Sequence, residues 1–281
     1  VSENVINHLQ LRASYGSMGN GNIGSYVFHE TFNINRSGRI LEDTRPRQTS
    51  SPAVLPEGLT WETATTRNFG VNMGMFNDKL EISADAYVRE TTDMFAIALT
   101  PPAVFGASAP RGNYADLETK GWELMLGGSD QFQLAEKPMS YSIRLNLADH
   151  KATITRYNNP DKFLNDYYEG MNVGEIWGYE TEGFFTSEED VENHADQSRF
   201  RSTSWGEYFP GDVKLRDLDG DGVISPGDNT AENPGDQRVI GNTTPRYTFG
   251  VNIDLDWSNF FVSAFVQGVG KRDWYPSNEA N

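Results

Sequence analysis

Apolar side chains recur at every second position over long stretches of this chain, and the alternation keeps its phase across two short turns. Phe69, Val71, Met73 and Met75 alternate with Asn68, Gly70, Asn72 and Gly74. After Asn77-Asp78, Leu80, Ile82, Ala84, Ala86 and Val88 alternate with Glu81, Ser83, Asp85, Tyr87 and Arg89. A period of two is the mark of a strand with one apolar face. Closing Asn77-Asp78 as a two-residue hairpin loop pairs Phe76 with Lys79 and Met75 with Leu80, which puts both apolar rows on one side of a sheet. Tyr247, Phe249, Val251, Ile253, Leu255 and Trp257 form another such row. A turn at Ser258-Asn259 pairs Trp257 with Phe260 and continues that row through Val262, Ala264 and Val266, although Phe261 and Phe265 interrupt the polar side. Trp122, Leu124 and Leu126 face Tyr141, Ile143, Leu145 and Leu147 in a third pair, and Leu9, Leu11, Ala13 and Tyr15 mark an opening strand.

The pattern predicts strands near 6–15, 62–76, 79–92, 117–128, 139–150, 244–257 and 260–269. Two all-β architectures use such strands. In a sandwich the apolar face meets a second sheet; in a transmembrane barrel it meets lipid, and about 9–11 tilted residues cross the bilayer. Connection lengths favour the barrel. They run long, very short, long, moderate, very long and very short, and outer-membrane barrels sort short turns to one side and long loops to the other. Phe76, Trp122, Tyr141, Trp257 and Phe260 near strand ends fit an interfacial girdle. The expected fold is therefore part of a large antiparallel barrel, with residues 151–243 as a long loop insertion that folds on itself. Within it, Ser187 followed by Glu188, Glu189 and Asp190 predicts a capped short helix over Ser187–Asp196.

Composition narrows the function. No run of about 18 apolar residues exists for a membrane helix, which leaves barrel strands open. The first residues carry no signal peptide pattern, and the sequence reads as the middle of a longer chain. No cysteine is present, which excludes disulfides and thiolate chemistry, and the four histidines are scattered singly. The formal charge of −17 argues against nucleic acid as a partner. About half of the 40 acidic residues fall between Lys151 and Thr243. No nucleophile elbow, zinc-protease helix, phosphate loop or dinucleotide fingerprint occurs, so no enzyme activity is expected.

One segment has the spacing of a metal site. Asp217-Leu218-Asp219-Gly220-Asp221-Gly222-Val223-Ile224-Ser225-Pro226-Gly227-Asp228 matches a twelve-residue calcium loop, with carboxylates at the first, third, fifth and twelfth positions. Gly222 permits the sharp turn, Val223 offers a backbone carbonyl, Ser225 offers a hydroxyl, and Ile224 is an apolar anchor. Asp228 replaces the usual glutamate, and Pro226-Gly227 precludes an exiting helix. The alternatives are one structural calcium ion held by Asp217, Asp219, Asp221, Val223, Ser225 and Asp228, or an acidic turn without metal. Trp177, Tyr179, Trp205 and Tyr208 could stack on sugar rings, but loop aromatics more often pack locally.

Several segments together resemble the SusC/RagA family of TonB-dependent outer-membrane transporters. They are Leu59-Thr60-Trp61-Glu62 with Thr65-Thr66-Arg67-Asn68-Phe69-Gly70, and Phe76 through Leu80 leading to Asp85-Ala86-Tyr87 and Thr91-Thr92-Asp93-Met94. Asn113-Tyr114-Ala115-Asp116 with Lys120-Gly121-Trp122-Glu123-Leu124 follows, then Pro210-Gly211-Asp212-Val213-Lys214, Val239-Ile240-Gly241-Asn242, Pro245 through Gly250 and Phe265-Val266-Gln267-Gly268. The resemblance implies a 22-stranded barrel in a Bacteroidetes-type outer membrane, with an N-terminal plug and a TonB box outside this sequence. It also implies a SusD-like lipoprotein lid and TonB-driven uptake of glycans or peptides. The other reading is a secreted, calcium-stabilised β-sandwich that binds carbohydrate. The two differ in what covers Val71, Met73, Ile82, Ala84, Phe249 and Val251.

Overall fold

The structure is a computed structural model that describes residues 5–275 except 22–28, 31, 50–54, 56–57, 98–103, 105–110 and 201–206. It contains strands β1 (Ile6–Asn20), β2 (Ile34–Arg36), β3 (Arg47–Thr49), β4 (Glu62–Met75), β5 (Leu80–Ile97), β6 (Arg111–Leu134) and β7 (Lys137–Arg156). Then come β8 (Glu175–Tyr179), β9 (Thr181–Phe184), helix α1 (Glu188–Glu192), a 3-10 turn at Ser198–Phe200, β10 (Val213–Leu215), β11 (Gln237–Asn242), β12 (Arg246–Trp257) and β13 (Phe260–Lys271). Seven strands form one antiparallel sheet in the order β1-β4-β5-β6-β7-β12-β13. Every predicted strand is present, and each pairs with the next predicted one.

Register follows the apolar rows. Met75 pairs with Leu80, Val71 with Ala84 and Ile82 with Leu126, and the row runs on through Leu145, Val251 and Val266. The first hairpin loop is wider than a two-residue turn. Phe76 leaves the ladder, and Phe76, Asn77 and Asp78 all take positive φ. The Trp257–Phe260 pair closes the Ser258-Asn259 turn as expected. The connection expected to be of moderate length between β6 and β7 is a tight turn at Ala135 and Glu136, both at positive φ. This conformation matches the right-handed twist of paired strands, and two non-glycine residues adopt it here. All three tight turns therefore lie at one end of the sheet. The long connections, including the insertion, lie at the other.

The strands also run longer than predicted, because their loop-end halves lose the apolar alternation. Beyond Trp122 and Phe69 the face that was apolar carries Arg67 and Glu90, joined at 3.2 Å. At the other end Phe132, Met139, Trp257 and Phe260 form one cross-strand row, with Tyr141 edge-on to Phe132 and the Trp257 ring N–H donating to the Leu134 carbonyl. From Trp122 to Phe132 is ten residues; at about 3.3 Å each, tilted roughly 40°, the aromatic belts stand about 25 Å apart.

The sheet is a single layer. Val71, Met73, Ile82, Ala84 and Val251 are only half-buried and Phe249 is exposed. Among the described residues the buried hydrophobics are Ala115, Ile154, Tyr168, Met171, Phe185 and Ile224, all at the loop end or in the insertion. Among the described residues no second sheet and no dry core underlie the apolar face, so they do not form a sandwich. The insertion has its own packing. The strand pairs β8–β11 and β9–β10 frame it, and Ser187 caps α1 by accepting from the Asp190 N–H. The helix is present but ends at Glu192, short of Asp196.

Candidate functional site

The polar face carries a hydrogen-bonded lattice across β1, β4 and β5. Arg12 reaches the Asp85 carboxylate at 2.6 Å, Asn68 donates to its other oxygen at 2.9 Å, and Ser83 donates to Asn72, which donates to Gln10. Gly70 lies beneath this lattice, where a Cβ would collide with the Asp85 carboxylate. Asp254, on the same face of β12, accepts from Ser263 at 2.6 Å.

At the loop end, three segments that carry the sequence resemblance meet. Arg156 grips Asp116 with two N–H groups at 2.7 and 2.8 Å, reaches Asp93 at 3.0 Å, and donates to the Asn113 carbonyl. Asp93 sits at positive φ in a β5 bulge, its N–H donating to Asp116. The Asn113 amide bonds both Thr60 and the Asp93 carbonyl. Bulges shift a strand by one residue and bend it; here the side chains of Asp116 and Asn113 fix where that happens.

The insertion packs onto the polar face beside this node. Ile154, Tyr168 and Met171 form a buried cluster with Leu117, Tyr157, Val173 and Trp177 around it. The Tyr157 hydroxyl donates to Asp166, and burial, helped by that carboxylate, pushes its pKa up to about 12. Burial and then Glu175 raise Tyr168 likewise to about 12. On the far side of the insertion the Lys214 ammonium, 2.8 Å away, holds Asp190 down at about 2, with the Thr186 N–H contributing next.

The acidic loop is wound on its own carboxylates. Asp217 accepts from the N–H groups of Gly220 and Gly222, Asp219 from that of Asp221, and Asp221 from that of Val223. Gly220 and Gly222 take positive φ of 78° and 83°, so glycine at both turns is conformationally required. Ile224 is fully buried, as expected for the anchor, and its N–H pairs with the Asp196 carbonyl.

Asp217 and Asp219 come together with Asp236, with one carboxylate oxygen of each within 4.8 Å of the others. Asp236 is fully buried and accepts from the N–H groups of Leu218 and Ser225 at 2.6 and 2.7 Å. Asp221 and Asp228 are outside this group. Asp228 accepts instead from the Asn233 amide, and the Ser225 hydroxyl from the Gly227 N–H. The chain makes an excursion after Pro226 and returns at Gly235, where the backbones of Gly227 and Gly235 press so closely that neither could carry a Cβ. A contiguous twelve-residue frame passes over this excursion; Asp236, eight residues beyond the expected terminal ligand, gave no spacing signal. Three convergent carboxylates are an oxygen set suited to a hard divalent cation.

The loop aromatics pack locally. Trp177 lies against the Ile154 cluster, Tyr179 stands edge-on to Phe200, and the Tyr208 ring neighbours Phe185 at 6.0 Å. Trp205 lies outside the described residues.

These features agree with what the chain is similar to. A TonB-dependent receptor P3 of Formosa agariphila is 27% identical over 277 residues, covering 94% of this chain and 26% of that protein. The TonB-dependent receptor SusC of Bacteroides thetaiotaomicron is 27% identical over 168 residues, covering 59% and 16%. The solved RagAB peptide importer in its open-open state superposes with a TM-score of 0.67 at 21% identity, over 95% of this chain and 26% of that one. The chain thus spans about a quarter of the length of the P3 receptor and of the solved importer chain, and its match to SusC covers less. The profile of the TonB dependent receptor-like β-barrel family matches residues 4–281, and the chain belongs to that family.

Proposed function

We propose that this chain forms wall and long loops of an outer-membrane importer that takes up oligosaccharides or peptides. In this reading energy comes through TonB, and a SusD-like surface lipoprotein closes the mouth; the role is transport, not catalysis. The observation that carries it is the single-layer sheet, whose apolar band of about 25 Å lies between aromatic belts, as a bilayer requires. Lipid would lie against Val71, Ile82 and Val251, while Glu81, Asp85, Arg89, Asp254 and Asp256 line a hydrated lumen or meet the plug. The tight turns would be periplasmic, and the insertion extracellular, where the lid docks. Asp217, Asp219 and Asp236 would hold one calcium ion that relieves their mutual repulsion and stiffens the insertion.

Membrane-impermeant thiol labelling of the full-length receptor on whole cells tests the orientation. Glu192→Cys should label on intact cells, and Asn77→Cys only after the outer membrane is opened. Labelling of Asn77→Cys alone on intact cells would reverse the topology.

A further inference from the structure

β8 and β9 are one strand in two parts. Only Glu180 lies between Tyr179 and Thr181, yet the partner changes there: Tyr179 pairs with Gln237 of β11, and Thr181 with Leu215 of β10. The partner strand is broken at that point, and the acidic loop, residues 216–236, fills the break. The base ribbon β8–β11 is fixed to the sheet, because Asn242 and Thr244 donate to the Val173 carbonyl and the Val173 N–H donates to Ala152 of β7. The outer ribbon β9–β10 carries α1, fastened to it by Lys214 and Asp190 at 2.8 Å. A point where one strand crosses between two such ribbons is where a hinge forms, since a few element-terminal residues absorb the change in backbone angles.

Glu180 reaches both sides of the break. One carboxylate oxygen meets Arg238 of β11, and the other meets Arg216, the residue after β10, at 3.3 Å. The Glu180 carbonyl also accepts from the Arg216 N–H at 2.9 Å. Two guanidinium groups, one from each side, thus share a single carboxylate, and without it they repel each other. We propose that Glu180 locks a hinge in the insertion. With its charge in place the unit of β9, α1 and β10 stays fixed on the base ribbon; with that charge removed or screened the unit swings about Glu180. The device does not depend on which solute the receptor takes. Salt reaches it, because the side chains of Glu180, Arg216 and Arg238 are 23%, 52% and 48% exposed. An exposed pair shifts an equilibrium by about fivefold or less, and 1 M salt shortens the screening length to about 3 Å. The swing is limited. Tyr179 stands edge-on to Phe200 across the same joint, and the acidic loop tethers the unit through the Ile224 N–H on the Asp196 carbonyl.

Pulsed dipolar spectroscopy on the purified full-length receptor tests this, with nitroxides at Glu192 on α1 and Lys151 on β7, both exposed. Chelator is present throughout, so that a bound cation plays no part. In 0.1 M sodium chloride the unaltered receptor should give one narrow distance. Glu180→Gln and, separately, Arg238→Gln should raise the share of molecules at other distances roughly fivefold, as should 1 M sodium chloride on the unaltered receptor. Glu180→Gln should then no longer respond to salt. Hydrogen exchange at the Ile224 amide should stay as it is in both variants. Substitutions on opposite sides of the break guard against one of them misfolding. An unchanged distance distribution in both variants, or a salt response that persists in Glu180→Gln, would overturn the lock. Faster exchange at Ile224 in both variants would also overturn it, by making Glu180 a support of the insertion's folding.

Discussion

The sheet and the insertion after β7 solve the problem of apolar surface in opposite ways. The sheet satisfies its backbone strand by strand and leaves an apolar face uncovered by protein, with no fully buried side chain in its middle. The insertion is a third of the sheet's size or less in regular structure, yet it holds Ile224, Asp236, Phe185, Tyr168 and Met171 buried. It behaves as protein in water does, gathering a core of its own. The contrast separates what solvent must do for each. Water suffices for the insertion, whereas the sheet needs something apolar against Val71, Ile82 and Val251.

The largest expected effect breaks the insertion alone. Ile224→Ala empties a fully enclosed site, and such truncations cost about 2–5 kcal/mol. Hydrogen exchange on the full-length receptor should show faster exchange across 213–242 and unchanged protection in β4–β7. Next comes a charge on the apolar face. Val251→Arg should destabilise the folded receptor in lipid vesicles by about 2–4 kcal/mol in urea titrations, whereas its neighbour on the polar face, Asn252→Arg, should change it by about 0.5 kcal/mol or less. Equal effects at the two positions would erase the distinction between the faces.

Two smaller effects sharpen the picture of the insertion. Calorimetry after chelation should show one calcium binding event that Asp236→Asn or Asp219→Ala weakens, with membrane insertion unaltered; no calcium-dependent heat would leave the acidic loop as a turn. The Asp190–Lys214 clasp should respond to acid. The Asp190 carboxyl is depressed to about 2 from 3.8, so its contribution is complete above the unfolded value and is lost as pH falls through about 2. Exchange protection around α1 should hold at pH 4 and decline toward pH 2, and Lys214→Met should weaken that dependence, leaving the share that the Thr186 N–H supplies.

Much of the sheet was legible because a period of two admits no slip when one face is apolar: Met75–Leu80 and Trp257–Phe260 were fixed by pattern alone. The Ala135-Glu136 turn was not, because its residues carry none of the usual turn chemistry and adopt positive φ under the twist of the strands they join. The strand extensions beyond Trp122 were hidden for a related reason, since hydrogen bonding continues where alternation stops. In the acidic loop, Asp217, Asp219 and Ile224 were readable from spacing. Asp236 was not, because the pinch of Gly227 against Gly235 is a tertiary contact that brings a distant carboxylate back.

On the proposed reading the apolar face meets lipid and the polar face meets water. Nitroxide labels placed singly at Val251 and Asn252, adjacent on β12 and opposite in facing, test it in the full-length receptor reconstituted in bilayers. Relaxation by oxygen, which concentrates in lipid, should dominate at Val251, and relaxation by a water-soluble nickel chelate should dominate at Asn252. A label at Val251 shielded from both reagents, or the reverse preference at the two sites, would contradict the account.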